Sequence, residues 1–335
     1  MSSRERAPIR DRAIATLHGL AIGDALGMPT QMMSRAEIAE RFGAITGFEP
    51  ADPDHPIAAG LTAGTVTDDT EQALLVATLL VEGRGTIDQL SFADALIAWE
   101  EGMRERGSLD LLGPSTKRAV EAVLAGESVA ESGRFGVTNG AAMRVAPVGI
   151  VSRTTDLEAF IDLVVEVSSV THNTSVALAG AAAVAAAVSV GVDGGTLDAA
   201  IDRAIEASAV AVRRGYWVAA ADVSSRIRWA IELADPADPE ASLDAIYRLI
   251  GTSLATQESV PAAFGILATF PNEPWRAVLA AASLGGDSDT VAAMVGTIAG
   301  ATTGIGAFPA GAIATVTAVN SIDFETIADS LLALR

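Results

Sequence analysis

The sequence contains no cysteine. That excludes disulfides and thiolate-held metals, so any metal must be held by oxygen or imidazole. Histidine is almost as scarce, with three in 335 residues. Oxygen ligands therefore dominate, and they suit magnesium or manganese better than zinc. Aromatic residues make up only 4% of a chain that is half hydrophobic. Alanine fills much of the difference, and alanine is the best helix former, so closely packed helices with small side chains are expected. Positive charge is short as well: 22 Lys and Arg stand against 42 Asp and Glu, for a formal net charge of −20. A surface that acidic repels nucleic acid and anionic membranes, and neither is expected as a partner. It also repels a polyanionic substrate unless cations or a few placed arginines reverse the field locally.

Residues 1–12 are polar and mixed in charge, with no apolar stretch of the signal-peptide kind, so a cytoplasmic protein is expected. Two stretches, 173–192 and 290–322, carry no Asp, Glu, Lys or Arg and are formally long enough for a membrane span. Both are mostly Ala, Gly, Thr and Val without basic flanks, and the second is broken by Gly304, Gly306, Pro309 and Gly311. Buried central helices fit them better.

What is present is helical patterning nearly end to end. No convincing two-residue alternation appears, and residues 44–48 are the best strand candidate. Residues 34–42 open with Ser34 and place Glu37 three positions on, a capping-box pattern. Residues 140–151 and 174–190 each read as one helix. A further helix is expected to start at Ser259 ahead of Pro261. Residues 49–60 form a long loop with three prolines and His55, and loops that long in a compact fold are often functional. No composition shift cuts the chain in two, so one domain over 1–335 is expected.

Two acidic clusters carry the chemistry. Thr67-Asp68-Asp69-Thr70 and Gly285-Gly286-Asp287-Ser288-Asp289-Thr290 each lead directly into a run of small apolar residues. Asp and Thr are common helix caps, and one such cluster alone would read as a cap. Adjacent carboxylates at two buried helix starts repel each other, however, and their burial calls for a compensating cation. Together the clusters offer oxygen ligands for two hard cations, which in such sites stand about 3.5–4 Å apart.

Five segments resemble the motifs of the ADP-ribosylglycohydrolase family, of the dinitrogenase reductase-activating glycohydrolase type. They are Gly19-Leu-Ala-Ile-Gly-Asp-Ala-Leu-Gly27, Thr67-Asp-Asp-Thr70, Thr138-Asn-Gly-Ala-Ala-Met-Arg144, Thr171-His172 and Gly285-Gly-Asp-Ser-Asp-Thr290. The resemblance implies an all-α orthogonal helical bundle with a binuclear magnesium or manganese centre. It implies Thr67, Asp68 and Asp69 as ligands on one side of that centre and Asp287, Asp289 and Thr290 on the other. Asp24, Asn139, Gly140, Arg144 and His172 match segments that shape the pocket or contact substrate. For Asp24 a helix-end hydrogen bond, for Arg144 a salt bridge and for His172 a structural role are the competing readings. Gly23 and Gly27 would permit close backbone approach.

One position departs from the pattern. Gln31 stands where several members of the family have a glutamate that is a candidate proton acceptor. An amide cannot take that proton, so Asp110 or a metal-bound Asp69 is expected to do so. The implied activity is hydrolysis of a glycosidic bond at the anomeric carbon of ADP-ribose or a related ribosyl compound, with an ADP-ribosylated protein as one candidate substrate. Two alternatives stay open: a hydrolase of nucleosides or small ribosyl metabolites, and a non-enzymatic ADP-ribose-binding module.

Overall fold

The computed structural model describes residues 3–106 and 112–335, with side chains from residue 8 onward. Among the described residues there is no strand, only two isolated bridges, Thr138 to Ala255 and Thr174 to Tyr216. Residues 44–48, the strand candidate, run as bend and coil, because no neighbouring strand offers them a ladder.

Three helices form the centre. Ser175–Val192 is buried at every residue except Val190. It is long and apolar enough to cross a membrane, yet 94% of it is buried inside the protein. An alanine-rich helix can be enclosed this way because its thin cylinder lets neighbours approach from all sides. Ser3–Gly27 and Ser288–Thr303 pack against each other along their lengths. Their contact depends on glycine: a Cβ on Gly23 would stand 2.0 Å from the Ala292 carbonyl oxygen, and one on Gly19 would stand 2.0 Å from that of Gly296. The backbones touch, and the end of one helix is thereby pinned to the start of the other.

Several expected elements differ in detail. Residues 140–151 form two short helices, Gly140–Met143 and Ala146–Val151, not one. Pro147 has no N–H for a continuous ladder and instead sits at the start of the second helix, where none is needed. The helix expected from Ser259 starts earlier, as Thr256–Thr269, with Pro261 still inside its first turns. The charge-free run 290–322 breaks at Gly304, which takes a left-handed φ of 92°. Its last piece, Ala310–Asn320, lies at the surface with only Ala312 and Val316 buried, so it is not the central helix expected. The capping box forms: the Ser34 hydroxyl accepts from Glu37 N, and the Glu37 carboxylate accepts from Ser34 N at 2.8 Å.

Candidate active site

The two acidic clusters lie at the N-termini of Asp68–Glu82 and Ser288–Thr303, far apart in sequence. The fold brings them into contact: the Thr290 hydroxyl donates to Asp69 Oδ2 at 3.2 Å. The second cluster is shaped by Gly285 and Gly286, with φ of 87° and 78°. A Cβ there would meet Arg35 N at 2.7 Å and the Thr252 carbonyl at 2.4 Å. This turn also grips the segment after the first helix. Met32 N donates to the Gly286 carbonyl at 2.7 Å, and Gly286 N donates to that of Met33 at 2.8 Å. Met32 itself takes a left-handed φ of 64°, an uncommon conformation for a side-chain-bearing residue.

Asp24, on the last turns of the first helix, is completely buried and does not reach the cavity. Its carboxylate accepts from Thr67 N at 2.9 and 3.0 Å, from the Thr67 hydroxyl at 2.6 Å, from Thr70 N at 3.1 Å and from the Thr70 hydroxyl at 2.5 Å. It therefore caps Asp68–Glu82 from outside and sets the direction in which Asp68 and Asp69 project. The Thr67 hydroxyl spends its proton on Asp24 and keeps lone pairs for another partner. Asn139 does the same service for the second cluster, donating to Asp287 Oδ2 at 2.5 Å and to the Ser259 hydroxyl at 3.0 Å.

A cavity of about 150 Å³ opens over the clusters. Gln31, Asp68, Asn139, Gly140, Asp287, Asp289 and Thr290 line it, all of them expected site residues. Thr116, Thr138 and Met143 line it too. Thr138 and Met143 lie within a quoted motif, but nothing in the sequence marks Thr116. The long loop 49–60 serves the site through Ile57 in the cavity wall and through His55, whose Nε2 bonds the Gln31 carbonyl at 3.1 Å. Asp110 lies outside the described residues.

Arg144 and His172 stand behind the site and do not line the cavity. Arg144 is wholly buried, with its guanidinium 4.9 Å from the Phe92 ring centroid. It donates to Gln72 Oε1 at 2.7 Å and to the Thr171 hydroxyl. Neither partner is a carboxylate, so the salt-bridge reading is not what forms. Gln72 in turn donates to Asp68 Oδ2 at 3.3 Å. Burial lowers the Arg144 pKa to about 9, partly opposed by Asp68. His172, also wholly buried, sits between the Thr171 and Thr138 hydroxyls at 2.7 and 3.0 Å. Burial, then Arg144, holds its pKa well below the ordinary value.

The carboxylates are electrostatically unhappy together. Burial raises Asp24 and Asp287 to about 6, against the hydrogen bonds they accept. Asp68, Asp69 and Asp289 are pushed well above the ordinary range by burial and then by their acidic neighbours. One oxygen of Asp69, Oδ1, is buried with no partner at all. Among the described residues, no three Asp, Glu or His side chains stand close enough together to hold an ion by themselves. The donor set nonetheless fits hard divalent cations: carboxylates that repel one another, hydroxyls with free lone pairs and an orphaned buried anion oxygen are what such ions compensate.

The profile of the ADP-ribosylglycohydrolase family matches residues 5–335, and the chain belongs to that family of hydrolases. It is 34% identical to the uncharacterized protein YegU of Escherichia coli K12, over 97% of both chains. It is 33% identical to the ADP-ribosylarginine hydrolase Tri1 of Pseudomonas putida, over 50% of this chain and 43% of that one. A solved structure titled ADP-ribosylglycohydrolase-related protein complex shares the fold, with a TM-score of 0.71 and 23% identity over 97% of this chain and 98% of the other.

Proposed function

We propose that the protein is a metal-dependent glycosidase that hydrolyses the bond at the anomeric carbon of an ADP-ribosyl or related ribosyl compound. The observation that carries this reading is the meeting of Asp68 with Asp287, Asp289 and Thr290 at one cavity, with Asp69 buried behind them and accepting from the Thr290 hydroxyl. Thr67, Asp68 and Asp69 would hold one side of a pair of magnesium or manganese ions, and Asp287, Asp289 and Thr290 the other. When bound, such ions supply Lewis-acid polarisation of the ribose hydroxyls and of water.

The chain's own residues do the rest. Asp24 and Asn139 hold the two clusters in place. A carboxylate takes a proton from the attacking water as the new C–O bond forms and the glycosidic bond breaks, through an oxocarbenium-like state. Gln31 lines the cavity and cannot take that proton. Asp110 is the first candidate and Asp69 the second. The segment that follows Asp110 supports the choice, since Leu112, Gly113 and Pro114 line the cavity. The neutral Gln31, in place of a carboxylate, favours a small ribosyl substrate over a modified protein.

The test is a hydrolysis screen on ADP-ribosyl-arginine, ADP-ribosyl-serine and simple nucleosides, with magnesium or manganese and with chelator. Cleavage that vanishes on chelation and returns with either ion is expected. Turnover unaffected by chelation, or none on any of these compounds, overturns the proposal.

A further inference from the structure

We infer that Arg144, although sealed from the cavity, is the positioning residue of a one-way hydrogen-bond chain that leaves the Thr138 hydroxyl as a donor to a substrate oxygen. The inference rests on the proposed function only in naming ADP-ribose as a probe. The direction of the chain follows from which atoms can donate. Arg144 has donors alone, so Thr171 Oγ1 accepts from it. The Thr171 hydroxyl proton then needs an acceptor, and the one it has among the described residues is His172 Nδ1, 2.7 Å away. A histidine whose Nδ1 accepts must carry its proton on Nε2. That proton points at Thr138 Oγ1, 3.0 Å away. With one lone pair taken by His172, Thr138 keeps its own proton, and among the described residues no acceptor claims it. Thr138 lines the cavity.

Burial makes the arrangement rigid. Arg144 and His172 are 0% exposed, and Thr171 is 1% exposed, so water does not compete at the links from Arg144 to His172. The strong depression of the His172 pKa agrees with a ring that stays neutral and keeps one tautomer. At its other end Arg144 fixes Gln72 in the same manner, since Gln72 Oε1 accepts from it and Gln72 Nε2 must then face Asp68. One buried cation thus orients a donor toward each side of the site. The group that Thr138 meets is a hydrogen-bond-accepting oxygen, of the kind a phosphate or a ribose carries.

The tautomer is measurable without any ligand. The chain has three histidines, so selective ¹⁵N-histidine labelling gives three rings to read by long-range ¹H–¹⁵N correlation at neutral pH. His55 serves as an internal reference, because Ile57 N and Ala58 N both donate to its Nδ1 and fix it as the Nε2–H form. His172, assigned by the loss of its signals in His172→Gln, should show the same form in the parent protein. Thr171→Val should convert it wholly or partly to Nδ1–H. A parent His172 protonated on Nδ1, or on both nitrogens, overturns the inference. The second measurement is calorimetric binding of ADP-ribose in the presence of magnesium. Thr138→Val should bind about tenfold more weakly, the loss of one hydrogen bond, and Thr138→Ser should restore affinity. Equal affinity for Thr138→Val overturns the inference. A loss seen with ADP-ribose but not adenosine assigns the oxygen to phosphate, and a loss with both assigns it to ribose. Failure of the parent protein to bind either compound would count against the proposed function, while the tautomer still decides the chain.

Discussion

Asp24 holds Thr67 by three contacts, taking its backbone N–H at 2.9 and 3.0 Å and its hydroxyl at 2.6 Å. A buried acid on one helix is therefore the N-terminal cap of another. Removing it strands the buried N–H groups of Thr67 and Thr70, and each unpaired donor costs about 1–3 kcal/mol. Asp24→Ala is expected to lose about 2–4 kcal/mol in urea denaturation. It should also bind divalent cations more weakly, because Asp68 and Asp69 lose their anchor. Unchanged urea stability would sink this account of Asp24.

The metal-free protein should grow less stable as pH rises. Asp24 and Asp287 sit at about 6 in the folded chain, and Asp68, Asp69 and Asp289 lie higher than their ordinary values. Folded pKa values above unfolded ones mean that the native state binds the extra protons. The associated stability is present below the unfolded pKa of about 4 and is lost as pH climbs through 6. Cations restore it by replacing those protons. Magnesium or manganese at 100 times its Kd at pH 8 should add about 2.7 kcal/mol there, and the same concentration should shift Tm less at pH 5, where protons compete for the carboxylates. Equal shifts at both values would contradict the coupling.

His18 works in the opposite direction. It is buried against Phe324 with ring centroids 4.6 Å apart, and burial lowers its pKa to about 4. The unfolded chain takes a proton near 6.5 while the folded one does not, so stability falls as pH drops from about 6.5 to about 4. The slope from this group is at most about 1.4 kcal/mol per pH unit. His18→Phe should flatten that part of the stability curve in chemical denaturation. A variant with the parent's acid slope would show that His18 is not the group responsible.

The glycines on the two central helices should be unforgiving. Gly23→Ala places a methyl group 2.0 Å from the Ala292 carbonyl oxygen and must push the helices apart. A loss of about 1–3 kcal/mol or more is expected, with weaker metal binding because the acidic cluster moves with its helix. Gly102→Ala, in the Gln89–Glu105 helix with nothing near its Cβ, should instead gain up to about 1 kcal/mol. Thermal denaturation of the pair decides the matter, and similar effects in both would refute the close-contact argument.

If Asp110 is the proton acceptor, Asp110→Asn should lower kcat by about 10²–10⁴-fold with metal binding nearly intact. Gln31→Glu should change turnover less, or shift substrate preference, because the surrounding site is built around a neutral amide. Near-parental kcat in Asp110→Asn would move the role to Asp69.

Chemistry and periodicity along the chain were enough for the all-helical class and the burial of residues 173–192. The Ser34–Glu37 capping box and the pairing of the two acidic motifs were legible too. Those features are local: alanine content, an i to i+3 spacing, or adjacent carboxylates ahead of an apolar run. Roles that depend on orientation were legible only as open alternatives, the helix-end hydrogen bond of Asp24 among them. Asp24, Arg144 and His172 stand in the expected segments, yet all three face away from the cavity, and Thr116 and Gln72 carry no local mark of their part in the site. The face a side chain presents is decided by how distant helices cross. Here the glycine contact of Ser3–Gly27 with Ser288–Thr303 sets Asp24 beneath Thr67 and brings Asp69 within a hydrogen bond of Thr290. No pattern within one helix encodes that crossing, because it is settled by backbone contact between segments more than 260 residues apart, as Gly23 and Ala292 are by about that interval.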